Sequence, residues 1–268
     1  MSGFEKYGPW ALIAGGSEGV GAAMAHQLAE RGLNVAIVAR KPGPLAEVAE
    51  SVRAAYDVEV LAIEQDLLAP GAVESIAKQL GDREVGLLVS NAGANTYGGE
   101  IVTSDADRAQ MVLDLNITVT LALVRRFGLP MQERQRGGII LTGSLSGFAG
   151  TGGIGFYSAA KAFVHNFAEA LWIEMRPYNV DVLEMCLGLT RTPAMERLGF
   201  KFDAPGVRSS DPATVARGAL EHITDGPSWY PDGFGEDAER RSAHPRRPVV
   251  EAANTHYRSP AALVADPS

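Results

Sequence analysis

The sequence predicts an α/β domain built on a doubly wound parallel sheet. Two observations predict this class: nearly continuous apolar runs alternate with longer segments of helical apolar spacing, and a glycine cluster joins the first run to the first helix. Strands that helices cover on both faces are apolar almost throughout. The length of 268 residues and the hydrophobic content of 46% are ordinary for one such domain.

The predicted elements alternate from the N-terminus to about residue 230. The predicted strands are Trp10–Ala14, Leu33–Ala39, Val58–Ile63, Val85–Val89, Gly138–Thr142, Val180–Leu187 and, at the edge, Ser228–Tyr230. The predicted helices are Gly19–Arg31, Leu45–Tyr56, Val73–Leu80, Ser104–Arg134, Tyr157–Arg176 and a last one that Asp211 caps and that ends near Thr224. This order is typical of a single Rossmann-type domain over residues 1–230.

The C-terminal part differs in composition. Residues 231–268 are rich in Pro, Arg, Ser and Asp and show weak periodicity. Such a segment buries little apolar surface, so we predict a mobile tail or a loosely packed extension.

Composition narrows the classes of partner. The net charge of −8 and the isoelectric point near 5.2 argue against nucleic acid. Cys186 is the only cysteine, so no internal disulfide can form, which fits the cytoplasm. The chain shows neither a basic region followed by an apolar run at its start nor a run of about twenty apolar residues, so we expect no secretory signal and no membrane span. We predict no metal site.

A glycine cluster follows the first predicted strand directly. Gly15, Gly19 and Gly21 allow a tight turn and a close approach of the main chain to a pyrophosphate. The helix that follows offers free N–H groups and the positive end of its dipole to phosphates. Because strand, loop and helix come in this order, the cluster predicts a dinucleotide site over an ordinary turn.

A tyrosine and a lysine stand four residues apart in a later predicted helix. Tyr157 and Lys161 share one helix face, about 6 Å apart along its axis. A free tyrosine has a pKa of about 10, and a neighbouring cation lowers that pKa toward neutral. The pair therefore predicts an acid–base catalyst, with a surface Tyr and Lys as the alternative interpretation.

Together these motifs resemble the short-chain dehydrogenase/reductase family, from about Trp10 to Tyr230. The glycine cluster Gly15-Gly16-Ser17-Glu18-Gly19-Val20-Gly21 and Tyr157-x-x-x-Lys161 carry the resemblance. Further family motifs fall in order: Asp66-Leu67 after the third strand, Asn91-Ala92-Gly93 after the fourth, Asn116 in a helix, Ser144 thirteen residues before Tyr157, and Gly188-Leu189-Thr190-Arg191-Thr192 after the sixth strand.

The resemblance implies hydride transfer between a nicotinamide and a carbonyl or secondary alcohol. In the implied catalytic set, Tyr157 exchanges the proton and Lys161 lowers its pKa and binds the nicotinamide ribose. Ser144 holds the substrate oxygen, and Asn116 holds a relay water. The implied cofactor-binding residues are Gly15, Ser17, Glu18, Gly19, Val20, Gly21, Arg40, Asp66, Leu67, Asn91, Ala92, Gly93, Tyr157, Lys161, Gly188, Thr190 and Thr192.

The sequence departs from the family pattern at several positions. Ala14 replaces the usual Thr before the first glycine, and Leu187 and Gly152 stand where Pro is common. These changes permit more motion around the nicotinamide and the substrate. Ser146 lies close to Ser144 and is a second candidate for the catalytic serine, although the spacing favours Ser144.

The end of the second strand predicts which nicotinamide is bound. Proteins that read NAD place a carboxylate there to bind the ribose 2′-hydroxyl. Here Ala39 occupies that place and Arg40 follows. A cation suits a 2′-phosphate, so we predict NADP, with NAD less favoured and a solvated Arg40 as the alternative.

Two functions of different class remain open. One is an oxidoreductase acting on a bulky apolar substrate of the 3-oxoacyl, steroid or terpenoid type. The other is a catalytically silent nicotinamide-binding regulator or scaffold, which has no need of the tyrosine and serine. A nucleotide-sugar epimerase or dehydratase is disfavoured, because the G-x-x-G-x-x-G loop and larger C-terminal domain of those relatives are missing.

Apolar residues after the fourth, fifth and sixth strands predict the substrate walls: Tyr97, Leu145, Phe148, Ile154, Leu189, Met195, Leu198, Phe200 and Phe202. The resemblance also implies a homodimer or homotetramer that pairs the helices Ser104–Arg134 and Tyr157–Arg176 with their copies.

Overall fold

A computed structural model describes residues 4–93 and 97–255, whose strands form one parallel sheet. The strands are β1 (Trp10–Ala14), β2 (Asn34–Ala39), β3 (Val60–Glu64), β4 (Val85–Ser90), β5 (Gly137–Ser144), β6 (Val180–Leu187) and β7 (Ser228–Trp229). Their order across the sheet is β3-β2-β1-β4-β5-β6-β7. The predicted doubly wound sheet is confirmed, and the bounds of β1 and β6 are those predicted.

Helices cover both faces of the sheet. They are α1 (Gly19–Glu30), α2 (Pro42–Ala55), α3 (Ala72–Leu80), α4 (Ala106–Leu113), α5 (Val119–Arg134), α6 (Gly155–Met175), α7 (Pro193–Arg197), α8 (Pro212–Glu221), α9 (Gly235–Ser242) and α10 (Arg246–Ala253). No helix within the described ranges combines the length and apolar character needed to cross a membrane.

Alternation along the strands builds two apolar cores. In β1, Ala11 and Ile13 pack on one face of the sheet, with α1 and α8, whereas Leu12 and Ala14 pack on the other, with α3, α5 and α6. All five residues of β1 are buried. A strand between two helical layers must be apolar on both sides, which explains the continuous run in the sequence.

The chain reverses direction across the sheet between β3 and β4. β1 pairs with β2 on one side and with β4 on the other, so the strand order changes at the carboxyl ends of β1 and β4. Loops leave the sheet in opposite directions at such a switch point and open a crevice there. The glycine cluster after β1 and Asn91-Ala92-Gly93 after β4 both lie at this crevice.

The predicted helix Ser104–Arg134 is interrupted. Asp105 caps α4, and a π-helical turn over Asp114–Thr118 joins α4 to α5. The side-chain amide of Asn116 donates to the carbonyl of Val112 at 2.9 Å. That carbonyl would accept the main-chain N–H of Asn116 in a regular α-helix, so the side chain competes with the helix at this point.

The C-terminal segment up to residue 255 includes the two short helices α9 and α10, where the sequence predicts a mobile tail or a loosely packed extension. Phe234 and Ala238 are buried against Leu145 and Cys186. Asn254 donates to the carbonyl of Gly150 at 2.9 Å. One aromatic anchor and hydrogen bonds to a loop hold this segment, and neither produces a periodic apolar pattern. The remainder of the predicted tail, residues 256–268, lies outside the described residues.

Candidate active site

The glycine cluster forms a tight loop beneath the start of α1. Gly15 has a φ of +86°, and a Cβ there would lie 2.8 Å from the main chain of Ala92. A Cβ on Gly21 would overlap the carbonyl oxygen of Gly15. The amide of Asn91 donates to that same oxygen at 2.8 Å, tying the loop to the end of β4. The geometry suits a pyrophosphate at the N-terminus of α1, which begins at Gly19.

The side chains of two other predicted residues of this loop, Glu18 and Val20, have partners within the protein. The Glu18 carboxylate pairs with Arg197 of α7 at 2.6 Å. Val20 is buried in the core, so only its main chain is available to a cofactor. Ser17, which precedes Glu18, is half-buried. The loop therefore offers main-chain groups and one hydroxyl to the phosphates.

The ends of β2 and β3 meet beside this loop. Arg40 is exposed directly after Ala39, the last residue of β2. Asp66 is also exposed, and its carboxylate accepts the N–H of Leu68 at 3.0 Å. Leu67 packs against the core on the α3 face. The Arg40 side chain is therefore exposed to solvent at the edge of the crevice, whereas the Asp66 carboxylate stabilises the turn that contains it.

The segment after β6 reaches back to the glycine loop. Thr192 caps α7 by accepting the N–H of Met195 at 3.3 Å. A Cβ on Gly19 would lie 2.9 Å from Cγ2 of Thr192, so the two segments touch. Thr190 is buried, and its hydroxyl donates to the carbonyl of Gly188 at 3.3 Å. The predicted Gly188–Thr192 segment therefore closes the crevice from the β6 side.

The predicted catalytic residues come together at the carboxyl end of β5. Lys161 Nζ lies 5.5 Å from the centroid of the Tyr157 ring and donates to the carbonyl of Thr142 at 2.8 Å. A Cβ on Gly93 would lie 2.7 Å from Asn116 Oδ1 and 3.1 Å from Lys161 Nζ. Because Gly93 has no side chain, Lys161 and Asn116 face each other across it.

Ser144 is the serine that meets the tyrosine. Its hydroxyl is hydrogen-bonded to Tyr157, and it also accepts the N–H of Ser146 at 3.2 Å. Ser144 and Tyr157 are both half-buried, so their hydroxyls sit at the border between protein and solvent. Two hydroxyls in contact at such a border can hold one substrate oxygen between them.

The pKa of Tyr157 is raised, whereas the neighbouring Lys161 was expected to lower it. Burial raises the pKa of Tyr157 above its usual value, and the hydrogen bond from Ser144 only partly opposes this. Burial also lowers the pKa of Lys161 to about 8, although the nearby Glu184 acts to raise it. Desolvation therefore outweighs the effect of the Tyr–Lys spacing, and Tyr157 keeps its proton at neutral pH.

Two predicted substrate-wall residues, Leu145 and Phe148, pack against other side chains of the protein. Leu145 is buried with Phe234, and Phe148 packs against it from the side. The ring of Phe148 also lies 4.5 Å from His165 and 6.2 Å from Tyr230, between ring centroids. The contact with Phe234 comes from the C-terminal segment, which the sequence pattern did not place over the β5 loop.

A cavity of about 450 Å³ lies beside the β5 loop. Ile101, residues 146–152, Ser158 and Arg246 are among the residues that line it. Arg246 donates to the carbonyl of Phe148 at 2.8 Å, so α10 forms one wall of the cavity. Neither Ser144 nor Tyr157 lines it, and it is therefore a neighbour of the catalytic residues and separate from them.

A sequence profile of one protein family covers most of this chain. The profile described as short chain dehydrogenase matches residues 9–201. The chain belongs to this family. As a short-chain dehydrogenase it is an NAD(P)-dependent oxidoreductase, which confirms the family and the class of enzyme that the motifs indicate.

Similar proteins include steroid and acyl enzymes. This chain is 29% identical over 191 residues to the 7β-hydroxysteroid dehydrogenase of Mediterraneibacter gnavus, and the match covers 71% of this chain and 72% of that protein. It is 32% identical over 203 residues to the very-long-chain 3-oxoacyl-CoA reductase of Meyerozyma guilliermondii, covering 72% of this chain and 59% of that protein.

Solved structures give the same picture. A structure of a 7β-hydroxysteroid dehydrogenase matches with a TM-score of 0.85 at 25% identity, covering 94% of this chain and 99% of that one. The short-chain dehydrogenase of Sphingobium yanoikuyae in complex with NADPH has a TM-score of 0.76 at 29% identity over 86% and 92% of the chains. The bulky-bulky ketone specific alcohol dehydrogenase of Comamonas testosteroni has a TM-score of 0.74 at 26% identity over 84% and 87%.

Proposed function

We propose that this enzyme interconverts a carbonyl and a secondary alcohol on a bulky apolar substrate, with NADP(H) as cofactor. The contact between the hydroxyls of Ser144 and Tyr157, backed by Lys161, carries the proposal. Tyr157 exchanges a proton with the substrate oxygen, and Ser144 stabilises charge on that oxygen. Bound NADPH supplies the hydride. Asn116 and Lys161 face each other behind the tyrosine, in a position to return its proton from solvent.

The protonation of the site favours reduction. A tyrosine whose pKa is raised by burial stays protonated at neutral pH, and the phenol is the form that donates to a carbonyl oxygen. Lys161, with a pKa of about 8, is mostly charged at pH 7 and stabilises the phenolate that forms. Both groups are therefore in the state that ketone reduction requires.

Arg40 is proposed to select NADP over NAD. NADPH should bind at least about tenfold more tightly than NADH, which corresponds to about 1.4 kcal/mol for one charge-assisted contact. Arg40→Ala should remove most of that ratio and leave NADH affinity nearly unchanged, as measured by nicotinamide fluorescence titration. Arg40→Lys is the matched control, because it keeps the charge and loses the planar fork, and should give an intermediate ratio. Equal affinities in the unmodified protein would contradict the assignment.

The substrate class is proposed from the similar proteins and from the segment after β6. The relatives named above act on a steroid, a very-long-chain acyl thioester or a bulky ketone. In this chain Leu198 is exposed, and Met195 and Phe200 are half-buried, next to Thr192 at the crevice. Such a lining leaves polar substrate groups without partners, so it favours an apolar substrate.

A series of ketones of rising apolar size tests this substrate class. The value of kcat/KM should rise along the series by up to about fourfold for each added methylene that is buried, the equivalent of about 0.8 kcal/mol. NADPH absorbance provides the rate. Leu198→Ser should flatten the series, because it removes an exposed apolar side chain from the segment after β6. A flat or falling series in the unmodified enzyme would rule out selection by the apolar lining.

A silent nicotinamide-binding protein is the alternative function. It would bind NADPH with the same glycine loop and would leave every ketone and alcohol unchanged. The hydrogen bond between Ser144 and Tyr157 favours the enzyme, because cofactor binding alone does not call for a serine in contact with that tyrosine.

We also propose that the enzyme is a homodimer or homotetramer formed through α5 and α6. Several apolar residues of the predicted helices Ser104–Arg134 and Tyr157–Arg176, among them Val112, Leu123 and Leu171, are buried inside the subunit. However, Leu129 of α5 and Ile173 of α6 are 56% and 58% exposed. Exposed apolar side chains of this size on neighbouring helices suit a contact with a second copy. Light scattering at micromolar concentration should give at least a dimer mass, and a monomer mass would refute the assembly.

A further inference from the structure

A carboxylate is buried directly behind the catalytic residues. Glu184 of β6 has no exposed surface, and it lies on the sheet face that α6 covers. Its Oε2 atom lies 2.7 Å from Nδ1 of His165 and accepts the hydroxyl of Ser228 at 2.8 Å. Its Oε1 atom has no hydrogen-bond partner among the residues that the structure describes. Burial of a carboxylate costs several kcal/mol unless charges and donors offset it, so its place in the fold calls for a reason.

The free oxygen of Glu184 lies against the strand that carries the catalytic groups. A Cβ on Gly143 would overlap Oε1 of Glu184, so only a glycine leaves room for the carboxylate there. Gly143 lies between Thr142, whose carbonyl accepts Lys161, and Ser144, whose hydroxyl contacts Tyr157. The carboxylate therefore packs against the main chain that joins the anchor of Lys161 to the catalytic serine.

Titratable side chains continue along α6 toward the surface. Tyr157, Lys161, His165 and Glu169 follow one another at intervals of four residues and share one side of the helix. His165 Nε2 lies 3.5 Å from Oε1 of Glu169, whose side chain is 52% exposed. His165, one turn of α6 after Lys161, therefore contacts both the buried Glu184 and the more exposed Glu169.

We propose that Glu184, held in place by His165 and Ser228, is a positioning residue that keeps Lys161 in its charged form beside Tyr157. The proposal rests on the proposed function, because the charge of Lys161 is assigned a role only in that reaction. A neutral Lys161 would neither stabilise a phenolate nor hold its hydrogen bonds as strongly.

The electrostatics around the carboxylate agree with this role. Burial lowers the pKa of Lys161 to about 8, and Glu184 is the largest influence that raises it again. The hydrogen bond to Glu184 raises the pKa of His165, against the opposing effect of burial. Burial raises the pKa of the Cys186 thiol and raises that of Tyr230 to about 12, so both stay neutral near pH 8. Tyr157, the remaining titratable neighbour, also keeps its proton.

Glu184→Gln tests the proposal with little change of shape. The chain has five lysines, so lysine side chains labelled with ¹³C give few NMR signals, and Lys161→Met assigns the relevant one. The midpoint of the Lys161 titration, about pH 8 in the unmodified protein, should fall by roughly one pH unit in Glu184→Gln. The pH at which kcat/KM for ketone reduction falls on the alkaline side should be lower by the same amount. Glu174→Gln is the matched control, because it makes the same substitution at an exposed position of α6 thirteen residues after Lys161, so neither midpoint should move.

Glu184→Asp keeps the test decisive should Glu184→Gln fail to fold. It retains the charge and withdraws it by one methylene, so both midpoints should fall by a smaller amount in the same direction. If the midpoint of the Lys161 titration stays the same in a folded Glu184 variant, the proposal is overturned. It is also overturned if that midpoint falls while the high-pH midpoint of the kcat/KM profile stays the same. Absence of turnover in the unmodified enzyme with every ketone would instead overturn the proposed function, while the NMR titration still decides whether Glu184 charges Lys161.

Discussion

Tyr157→Phe is expected to lower kcat for ketone reduction by roughly 10²- to 10⁴-fold, the usual contribution of a positioned general acid. The ring stays, so its packing beside Lys161 is kept, whereas the hydroxyl that contacts Ser144 is lost. NADPH affinity should change by less than about threefold, because the glycine loop and the segment after β6 are untouched. Stopped-flow absorbance of the nicotinamide measures the rate, and fluorescence titration measures the affinity.

Tyr56→Phe is the matched control for this change. Tyr56 follows α2, and its ring lies 5.9 Å from that of His26, between centroids, away from β5 and α6. It should keep full activity. If Tyr157→Phe retained more than about a tenth of the activity, another acid would protonate the substrate oxygen, and the role assigned to Tyr157 would be wrong.

Lys161→Met is expected to lose both rate and cofactor affinity. Methionine fills a similar volume. It removes the positive charge beside the Tyr157 ring, and it also removes the hydrogen bond to the carbonyl of Thr142. We expect kcat/KM to fall at least about a hundredfold and the Kd for NADPH to rise about tenfold, because the phenolate and the ribose both lose a charged partner. This simultaneous loss separates Lys161 from Tyr157, whose replacement should spare binding.

Lys78→Met is the control for the loss of a lysine. Lys78 is exposed on α3, far along the sequence and the sheet from the catalytic residues, so activity and affinity should both persist. A Lys161→Met enzyme that bound NADPH normally and lost only rate would show that Lys161 acts on the tyrosine alone.

Most of the fold could be predicted because buried parallel strands leave a strong pattern. The bounds of β1 follow from an uninterrupted apolar run, and those of β6 from a run that only Asp181 and Glu184 interrupt. Asp211 before Pro212 marks the start of α8. The π-helical turn at Asn116 could not be predicted, because it depends on one side-chain amide taking the carbonyl of Val112. The packing of α9 and α10 depends on Phe234 and on hydrogen bonds of Asn254, which form no period.

The candidate site could be predicted only as far as its motifs reach. Helix spacing pairs Tyr157 with Lys161, the family resemblance adds Ser144, and the structure places the three in contact or near contact. The predicted direction of the shift in the Tyr157 pKa was wrong, because the shift depends on burial, which helical spacing does not reveal. Glu184 and His165 were missed for a similar reason. A glutamate in an otherwise apolar strand and a histidine four residues after Lys161 are visible signals, but only the fold shows that they meet.

Deuteride transfer from labelled NADPH tests the central claim most directly. The unmodified enzyme is incubated with NADPH carrying deuterium at the transferable position of the nicotinamide and with a bulky apolar ketone, and the product is analysed by mass spectrometry. The account predicts a secondary alcohol with one deuterium on the former carbonyl carbon, and no such alcohol from Tyr157→Phe on the same timescale. Unchanged ketone in the presence of bound NADPH, across the whole ketone series, would contradict it and would identify a nicotinamide-binding protein without turnover.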